Sequence, residues 1–295
     1  MDRYEASANR GEPIQWPGGA RIAVWLVPNI EFYELDPPAN PARAAWHRPA
    51  PDVLAYSRRD FGNRVGLWRL MDSLDRHQVR ASVSLNAAVC DHFPEIVREC
   101  VNRRWELLSH GIYNTRLLFG MDEAQVREVI RDSVETIRRC SGQQVAGFLG
   151  PAISFTETML DLLPECGISY SIDLVPDDRP VMLKLRSGQL VCVPYSSEIN
   201  DIRILGFRSY SAAQWAAMVT AAFDQLYEEG ERDGTVLCIP LHPFIIGQAH
   251  CIDALDTVLD HIGAREAVWF ATGREIAAHY AAHVGAAGQF PLLAD

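Results

Sequence analysis

The sequence lacks any apolar run long enough to cross a bilayer: the longest, such as 22–27, stop at six or seven residues, against roughly 20 required. It is also short of basic residues, since 27 Lys and Arg against 38 Asp and Glu give a formal net charge of −11. That sign opposes binding to nucleic acid or to an anionic membrane. The opening MDRYEASANRGEPIQ lacks the basic start and apolar core of a secretory signal, which predicts a cytoplasmic protein. We therefore expect a small-molecule substrate and neither nucleic acid nor membrane as a partner.

The motifs of several enzyme classes are also missing. The chain has no H-E-x-x-H, G-x-S-x-G, P-loop or G-x-G-x-x-G sequence, which argues against zincins, α/β-hydrolases and nucleotide-binding enzymes. Its seven cysteines contain no C-x-x-C pair, a pattern typical of reduced, mostly buried thiols.

The composition, 48% hydrophobic and 22% charged, predicts a globular protein, and the absence of repeats and Gly/Ser linkers favours one domain over 1–295. One irregular loop is expected over 34–57, with Pro at 37, 38, 41, 49 and 51. A loop of this length inside a domain usually has a function.

Short apolar runs alternate with helical patterns along the rest of the chain. The predicted strands are 21–28, 79–86, 105–109, 145–149, 168–173, 190–194, 235–241 and 267–271. The predicted helices lie near 60–77, 94–104, 122–140, 155–166, 211–229, 252–262 and 273–283. Capping boxes are expected at Asp122 with Gln125 and at Ser211 with Gln214, and Gly142 is expected to end the helix near 122–140. This alternation indicates an α/β fold, either a (β/α) barrel or a doubly wound sheet.

In both folds the functional groups lie where strands end and lead into helices. The residues at those positions are Asn29, Glu31, Asn86, Ser109, His110, Gly150, Pro151, Asp173, Asp177, Asp178, Tyr195, Glu198, His242 and Thr272. Polar groups contributed by many strands to one rim are typical of an active site on a barrel.

Three of these residues have the chemistry for catalysis. His110 leaves an apolar strand just before a Gly, and His242 precedes Pro243, which holds residue 242 extended. A carboxylate at position 31, delivered by the first strand, is either a general base or the partner of Arg58 or Arg59 in an ion pair. Aromatic residues placed either to line a pocket or to pack in the core are Tyr33, Tyr113, Phe148, Tyr195 and Phe244.

Six segments follow one another in a specific order: WPGGARIAVWLVPNIE, DFGNRVGLWRLMDSLDRHQVRASVSLNAAVCDHFPEIV, SHGIYN, GFLGPAISFTETMLDLLPECGISYSIDLVPDDRP, LHPFIIGQ and VWFATGREIAAHY. From about 16 to 280 the chain thereby resembles the polysaccharide deacetylase (NodB-homology, carbohydrate esterase 4-like) superfamily. Within it, the chain looks like the cytosolic branch of metal-independent allantoinases and cyclic imide hydrolases. The resemblance implies a distorted (β/α)7-type barrel.

The resemblance also shows where this chain departs from the metal-dependent deacetylases. Asn29 stands where those enzymes have the Asp base, and Glu31 where they have the Asp ligand. His110 matches the first His ligand, Asn114 replaces the second, and His242 matches the proton donor. An amide is a poor metal ligand and no base at neutral pH, so no metal cofactor is expected. Should a divalent metal such as zinc be bound, Glu31, His110 and His242 are the expected ligands.

These considerations lead to the hypothesis of a hydrolase acting on non-peptide C–N bonds of a small cyclic amide, imide or ureide. Glu31 would activate water, His242 would protonate the leaving nitrogen, and His110 with Asn114 would orient substrate or bind the oxyanion. The residues expected to bind substrate are Asn29, Asn114, Pro151 and Asp178. The alternatives are a metal-dependent carbohydrate N-deacetylase and a non-catalytic barrel that binds a small ligand. The resemblance further implies a homo-oligomer.

Overall fold

In the computed structural model, which describes residues 3–4 and 12–286, one curled and mostly parallel sheet forms the centre of the fold. Its strands are β1 (Ile22–Ile30), β2 (Ser82–Leu85), β3 (Glu106–Ser109), β4 (Gly147–Phe148), β5 (Tyr170–Ser171), β6 (Val181–Met182), β7 (Val191–Cys192), β8 (Thr235–Leu241) and β9 (Val268–Phe270). They are ordered β6-β7-β5-β4-β3-β2-β1-β8, and β9 pairs with β1. The expected α/β class and distorted barrel are confirmed, in the form of a curled half-barrel.

Helices connect the strands. They are α1 (Val53–Phe61), α2 (Leu67–Arg76), α3 (Ala88–His92), α4 (Pro94–Asn102), α5 (Glu123–Ser141), α6 (Met159–Leu162), α7 (Ala212–Glu229), α8 (Pro243–Ile246), α9 (Ile252–Gly263) and α10 (Gly273–Ala286). Both predicted capping boxes are present, and Gly142 ends α5 in the left-handed conformation. No helix of the described residues is long and apolar enough to span a membrane.

Strand β1 is buried along its whole length and separates two cores. Because side chains alternate across a strand, Val24 and Leu26 pack in the larger core, which includes residues of several helices, whereas Trp25 and Val27 pack in a second core with residues of β3 and β8. Such burial on both faces explains why β1 reads as a nearly continuous apolar run rather than an alternating one.

Two predictions about local structure were wrong. The irregular loop expected over 34–57 ends at Asp52, because the Asp52 carboxylate accepts a hydrogen bond from the Ala55 amide and α1 begins at Val53, two residues after the last proline. Strand β6 was not predicted: it is two residues long and pairs antiparallel with β7, and so short a strand has no periodicity to detect. The seven cysteines are free and mostly buried, as predicted.

The register of the sheet sets where the strands end. Ile30 of β1 pairs with Leu85 of β2, Leu85 pairs with Ser109 of β3, and Leu241 of β8 pairs with Pro28 of β1. The residues that follow these strands therefore meet at one edge of the half-barrel.

Candidate active site

Three of the predicted catalytic residues lie together at this edge. Glu31, His110 and His242 directly follow β1, β3 and β8, and their exposed fractions are 7%, 1% and 5%. Glu31 Oε1 lies 3.5 Å from His110 Nε2 and 3.8 Å from His242 Nε2. The structure thus places one buried carboxylate between two imidazole rings.

The orientation of His242 depends on a residue that the sequence analysis missed. Asp201, fully buried, accepts hydrogen bonds from His242 Nδ1 at 2.7 Å and from the His242 backbone amide at 2.7 Å. It lies on the segment before a π-helical turn at Ile202–Phe207, not at the end of a strand. The sequence offers little signal, because Asn200 and Asp201 lie between single apolar residues, Ile199 and Ile202, in a segment that is otherwise mixed.

The orientation of His110 comes from the backbone. Its Nδ1 lies 2.9 Å from the carbonyl oxygen of Leu149, so Nδ1 is a donor, and Nε2 faces Glu31. Gly111, at φ +65°, turns the chain directly after His110. A side chain there would bring its Cβ to 2.6 Å from Cγ of Pro151, which is buried against this turn. Pro151 therefore supports the position of His110.

The second oxygen of Glu31 belongs to another chain of hydrogen bonds. The Tyr33 hydroxyl donates to Glu31 Oε2 at 2.6 Å, and Asn114 Nδ2 donates to the Tyr33 oxygen at 2.7 Å. Asn114 Oδ1 accepts from the Ala152 amide at 3.0 Å, so both ends of its amide are engaged. Asn114 contacts Tyr33 and, through it, holds the carboxylate.

Two of the residues predicted to bind substrate, Asn29 and Asp178, lie in different parts of the structure. Asn29 is buried, and its amide donates to the Tyr195 hydroxyl at 3.1 Å on the inner side of the sheet. The Asp178 carbonyl accepts a hydrogen bond from the amide of Val236, near the start of β8 and about 20 Å along that strand from His242. The structure therefore does not bring Asp178 to the site.

The surroundings of Glu31 and His242 shift the pKa values of these two residues in opposite directions. Burial raises the pKa of Glu31, but the hydrogen bond from His110 and the charges of His242 and His110 outweigh it, so the pKa lies below its ordinary value. Burial lowers the pKa of His242, but the attraction and hydrogen bond of Asp201, together with the charge of Glu31, outweigh it, so this pKa is raised. The arrangement favours an ionised Glu31 beside a protonated His242.

Asp173, two residues after β5, is also buried at this edge. It accepts hydrogen bonds from the Gly150 amide at 2.7 Å and the Ser171 hydroxyl at 2.6 Å. Burial nevertheless raises the pKa of its carboxyl to about 6.

A metal ion of the kind bound by metal-dependent deacetylases does not fit these donors. The position of the second His ligand is occupied by Asn114, whose amide is engaged at both ends, and Glu31 Oε2 is held by Tyr33. Residues 3–4 and 12–286 contain no group of three or more His, Cys, Asp or Glu side chains that could hold a metal ion. Within these residues, Glu31, His110 and His242 therefore do not form such a group.

An aromatic cage, formed by the rings of Tyr33, Trp46 and Phe244 around the Arg59 guanidinium, lies beside Glu31. Arg59 Cζ is 4.8, 5.1 and 5.4 Å from the three ring centroids, respectively. Glu31, Tyr33 and Arg59 line one small cavity of about 10 Å³, room for about one water molecule. Among the described residues, the ion-pair partners of Glu31 are His110 and His242, so the alternative of an ion pair with Arg58 or Arg59 finds no support.

Comparison with known proteins agrees with this fold. The family model "Polysaccharide deacetylase" matches residues 52–171. A Schizosaccharomyces pombe protein assigned by name to the polysaccharide deacetylases is 25% identical and covers 94% of this chain and 97% of its own length. A Helicobacter pylori peptidoglycan deacetylase is 22% identical over 77% of this chain and 87% of its own.

Two solved structures superimpose over most of the chain, each with a TM-score of 0.81. PuuE allantoinase is 26% identical and covers 91% of this chain and 93% of its own. A Pseudomonas aeruginosa PAO1 protein, named as a polysaccharide deacetylase, is 28% identical and covers 92% and 95%. The partial family match, the relative that aligns over nearly its full length and the shared half-barrel show that the chain is similar to the polysaccharide deacetylases.

Proposed function

We propose that this chain hydrolyses a C–N bond of a small cyclic amide, imide or ureide, with Glu31 as the general base and His242 as the general acid. The observation that carries the proposal is the pairing of His242 with Asp201: it leaves His242 Nε2 facing the Glu31 carboxylate at 3.8 Å. One rim thus offers an ionised base and a protonated acid, the two groups that amide hydrolysis requires.

The proposed reaction begins when Glu31 takes a proton from water and the hydroxide oxygen bonds to the carbonyl carbon. The C–N bond of the tetrahedral intermediate then breaks as His242 transfers its Nε2 proton to the nitrogen. The products are a carboxylic acid and the released nitrogen group, which is an amine from a cyclic amide, an amide from an imide and a urea group from a ureide. Return of the Glu31 proton to His242 restores both catalytic groups. His110 orients the substrate, and Asn114 acts through Tyr33 as a positioning residue for Glu31.

The choice of a cyclic, activated amide follows from the chemistry of this donor set. An ordinary acetamide is a poor electrophile, whereas ring strain or a second carbonyl on the nitrogen makes a cyclic imide or ureide easier to attack. The likeness to PuuE allantoinase, 26% identical over 91% of the chain, favours the same substrate class.

A second candidate, a carbohydrate N-deacetylase, is favoured by the family model and by the Helicobacter pylori peptidoglycan deacetylase. It requires a different reaction at this site, because metal-dependent deacetylation uses a ligand position that Asn114 occupies here. The two candidates therefore differ in their response to a chelator.

Both candidates are tested by metal analysis of the purified protein and a hydrolysis screen of allantoin, hydantoin, succinimide and N-acetylglucosamine oligomers, with and without EDTA. The expected result is turnover of a cyclic compound that EDTA leaves unchanged. Stoichiometric metal with EDTA-sensitive release of acetate would establish the deacetylase instead. Absence of turnover from all substrates would favour a barrel that only binds its ligand.

A further inference from the structure

Two hydrogen-bond donors of the aromatic cage have no acceptor. Trp46 is 6% exposed, and its indole Nε1 is buried without a partner in the described chain; the same holds for Arg59 Nε. Such atoms are uncommon, because burying a donor without an acceptor is energetically unfavourable. An acceptor supplied by a ligand to either atom would remove that atom's share of the cost.

The guanidinium leaves one edge available. Among the hydrogen bonds of the described residues, Arg59 makes one, from Nη1 to the Ala55 carbonyl at 3.2 Å. Its Nε and Nη2 together form the side edge that binds the two oxygens of a carboxylate in parallel. Nearby arginines differ in this respect: Arg48 pairs with Asp52, and Arg64 pairs with Asp60.

The charge of Arg59 also lies close to the reacting groups. It shares a cavity with Glu31 and Tyr33, and its field lowers the pKa of both Tyr33 and His242 against the larger contributions that act on them. The three rings hold the guanidinium by cation–π contacts without consuming its N–H groups. A full positive charge with an open hydrogen-bonding edge is therefore held beside the catalytic carboxylate.

We propose that Arg59 and Trp46 form a binding subsite for a carboxylate group of the substrate, so that the enzyme selects an anionic cyclic imide or ureide over a neutral one. The position of the reacting amide rests on the proposed function; the binding of a carboxylate does not. Because the cavity has room for about one water molecule, binding of a carboxylate there requires the surrounding side chains to move apart.

The test is equilibrium binding of two matched probes by titration calorimetry: succinamate, which carries a carboxylate, and succinamide, the same chain without the charge. Wild-type protein is expected to bind succinamate at least about tenfold more tightly, the effect of one hydrogen-bonded charge pair. Arg59→Met, which keeps an unbranched apolar chain in the cage, is expected to reduce this preference to less than about twofold. Arg59→Lys keeps the charge without the planar fork and is expected to retain part of the preference.

Two further variants complete the set. Trp46→Phe keeps a ring and removes the N–H, and the expected loss in succinamate affinity is about threefold. Arg58→Met, the exposed neighbour on α1, is the matched control and is expected to keep the wild-type preference. Thermal unfolding of each variant verifies that the fold is intact; if Arg59→Met fails to fold, Arg59→Lys and Trp46→Phe carry the test.

Equal affinity of wild-type protein for succinamate and succinamide would overturn the subsite. An equal loss of affinity for both probes in Arg59→Met would also overturn it, because Arg59 would then support the loop or bind an uncharged oxygen. The proposed function fails separately. Succinamate binding that depends on Arg59, without hydrolysis of any cyclic amide, would leave the subsite standing and reject the hydrolase. Hydrolysis of cyclic imides without an Arg59-dependent preference would do the reverse.

Discussion

The site has two flanks that are built differently. On the strand-end flank, Glu31, His110 and His242 directly follow strands, and each imidazole Nδ1 is hydrogen-bonded, to Leu149 in one case and to Asp201 in the other. On the loop flank, Trp46 and Arg59 are held by contacts between rings and a guanidinium, and each keeps an unpaired buried donor. The first flank is complete without substrate, and the second is not.

This difference suits the strand-end flank to catalysis and the loop flank to substrate recognition. Hydrogen-bonded groups on rigid strand ends are fixed for proton transfer before substrate arrives, which is the arrangement that general acid–base catalysis favours. Trp46, in the segment before α1, and Arg59, on α1, keep donors that are available to a ligand. The flanks meet at Tyr33, whose hydroxyl binds Glu31 and whose ring packs on Trp46 and Arg59.

The largest effect is expected from Glu31→Gln, which breaks the strand-end flank at its centre. The amide keeps the shape of the side chain but cannot take a proton from water, so kcat is expected to fall by about 100- to 10,000-fold. Steady-state hydrolysis of the cyclic substrate identified by the screen measures it. Near-normal turnover would reject Glu31 as the base.

Asp201→Asn is expected to lower kcat by roughly 100-fold and to change the pH profile. Asp201 raises the pKa of His242, and a general acid loses activity as the pH rises past its pKa. Removing the charge lowers that pKa, so the alkaline limb of the kcat profile moves to lower pH. A slower enzyme with an unchanged limb would indicate that Asp201 only supports the fold. Asp256→Asn, at an ion pair between α2 and α9, is the control and leaves the limb in place.

Tyr33→Phe separates the two flanks, because the ring remains for Trp46 and Arg59 while the bond to Glu31 is lost. That hydrogen bond contributes to the low pKa of Glu31. We expect the pKa of Glu31 to rise, the acidic limb of the profile to move to higher pH, and kcat to fall by about tenfold. Tyr113→Phe is the matched control, since Tyr113 contacts Phe32 and Arg116. Equal profiles for the two variants would contradict the role of the Tyr33 hydroxyl.

The strand-end flank was largely predictable from sequence, and the reason is geometric. Glu31, His110 and His242 each follow an apolar run, and parallel strands bring the residues after such runs to one edge of the sheet. Asp178 also follows an apolar run in the sequence, but its backbone pairs near the start of β8, so the same rule misplaced it. The rule holds only for residues that directly follow a strand.

The loop flank was not predictable. Trp46 lies in a segment without periodicity, and its contact with Arg59 depends on the path of that segment over the strand ends. Asp201 was missed for the same reason, because its pairing with His242 joins a loop to a strand end 41 residues away. Sequence patterns report local periodicity, and neither the contact of Trp46 with Arg59 nor that of Asp201 with His242 produces a periodic pattern.

The smallest effect on catalysis, and a distinct effect on stability, is expected from Asp173→Asn. The Asp173 carboxyl ionises at about 6 in the folded protein and near 3.8 when exposed, so the folded state binds the proton more tightly. The contribution of this proton to the free energy of unfolding is therefore fully present below pH 3.8 and is lost as the pH rises through the folded-state pKa of about 6. The change is on the order of 2–3 kcal/mol. Asn keeps an oxygen for the Gly150 amide and cannot ionise. Urea unfolding at pH 5 and pH 8 is expected to show a smaller difference in the free energy of unfolding between the two pH values in the variant than in wild type. An equal difference would mean that the hydrogen-bond donors to Asp173 fully compensate the burial of its carboxylate, as on the rest of the strand-end flank.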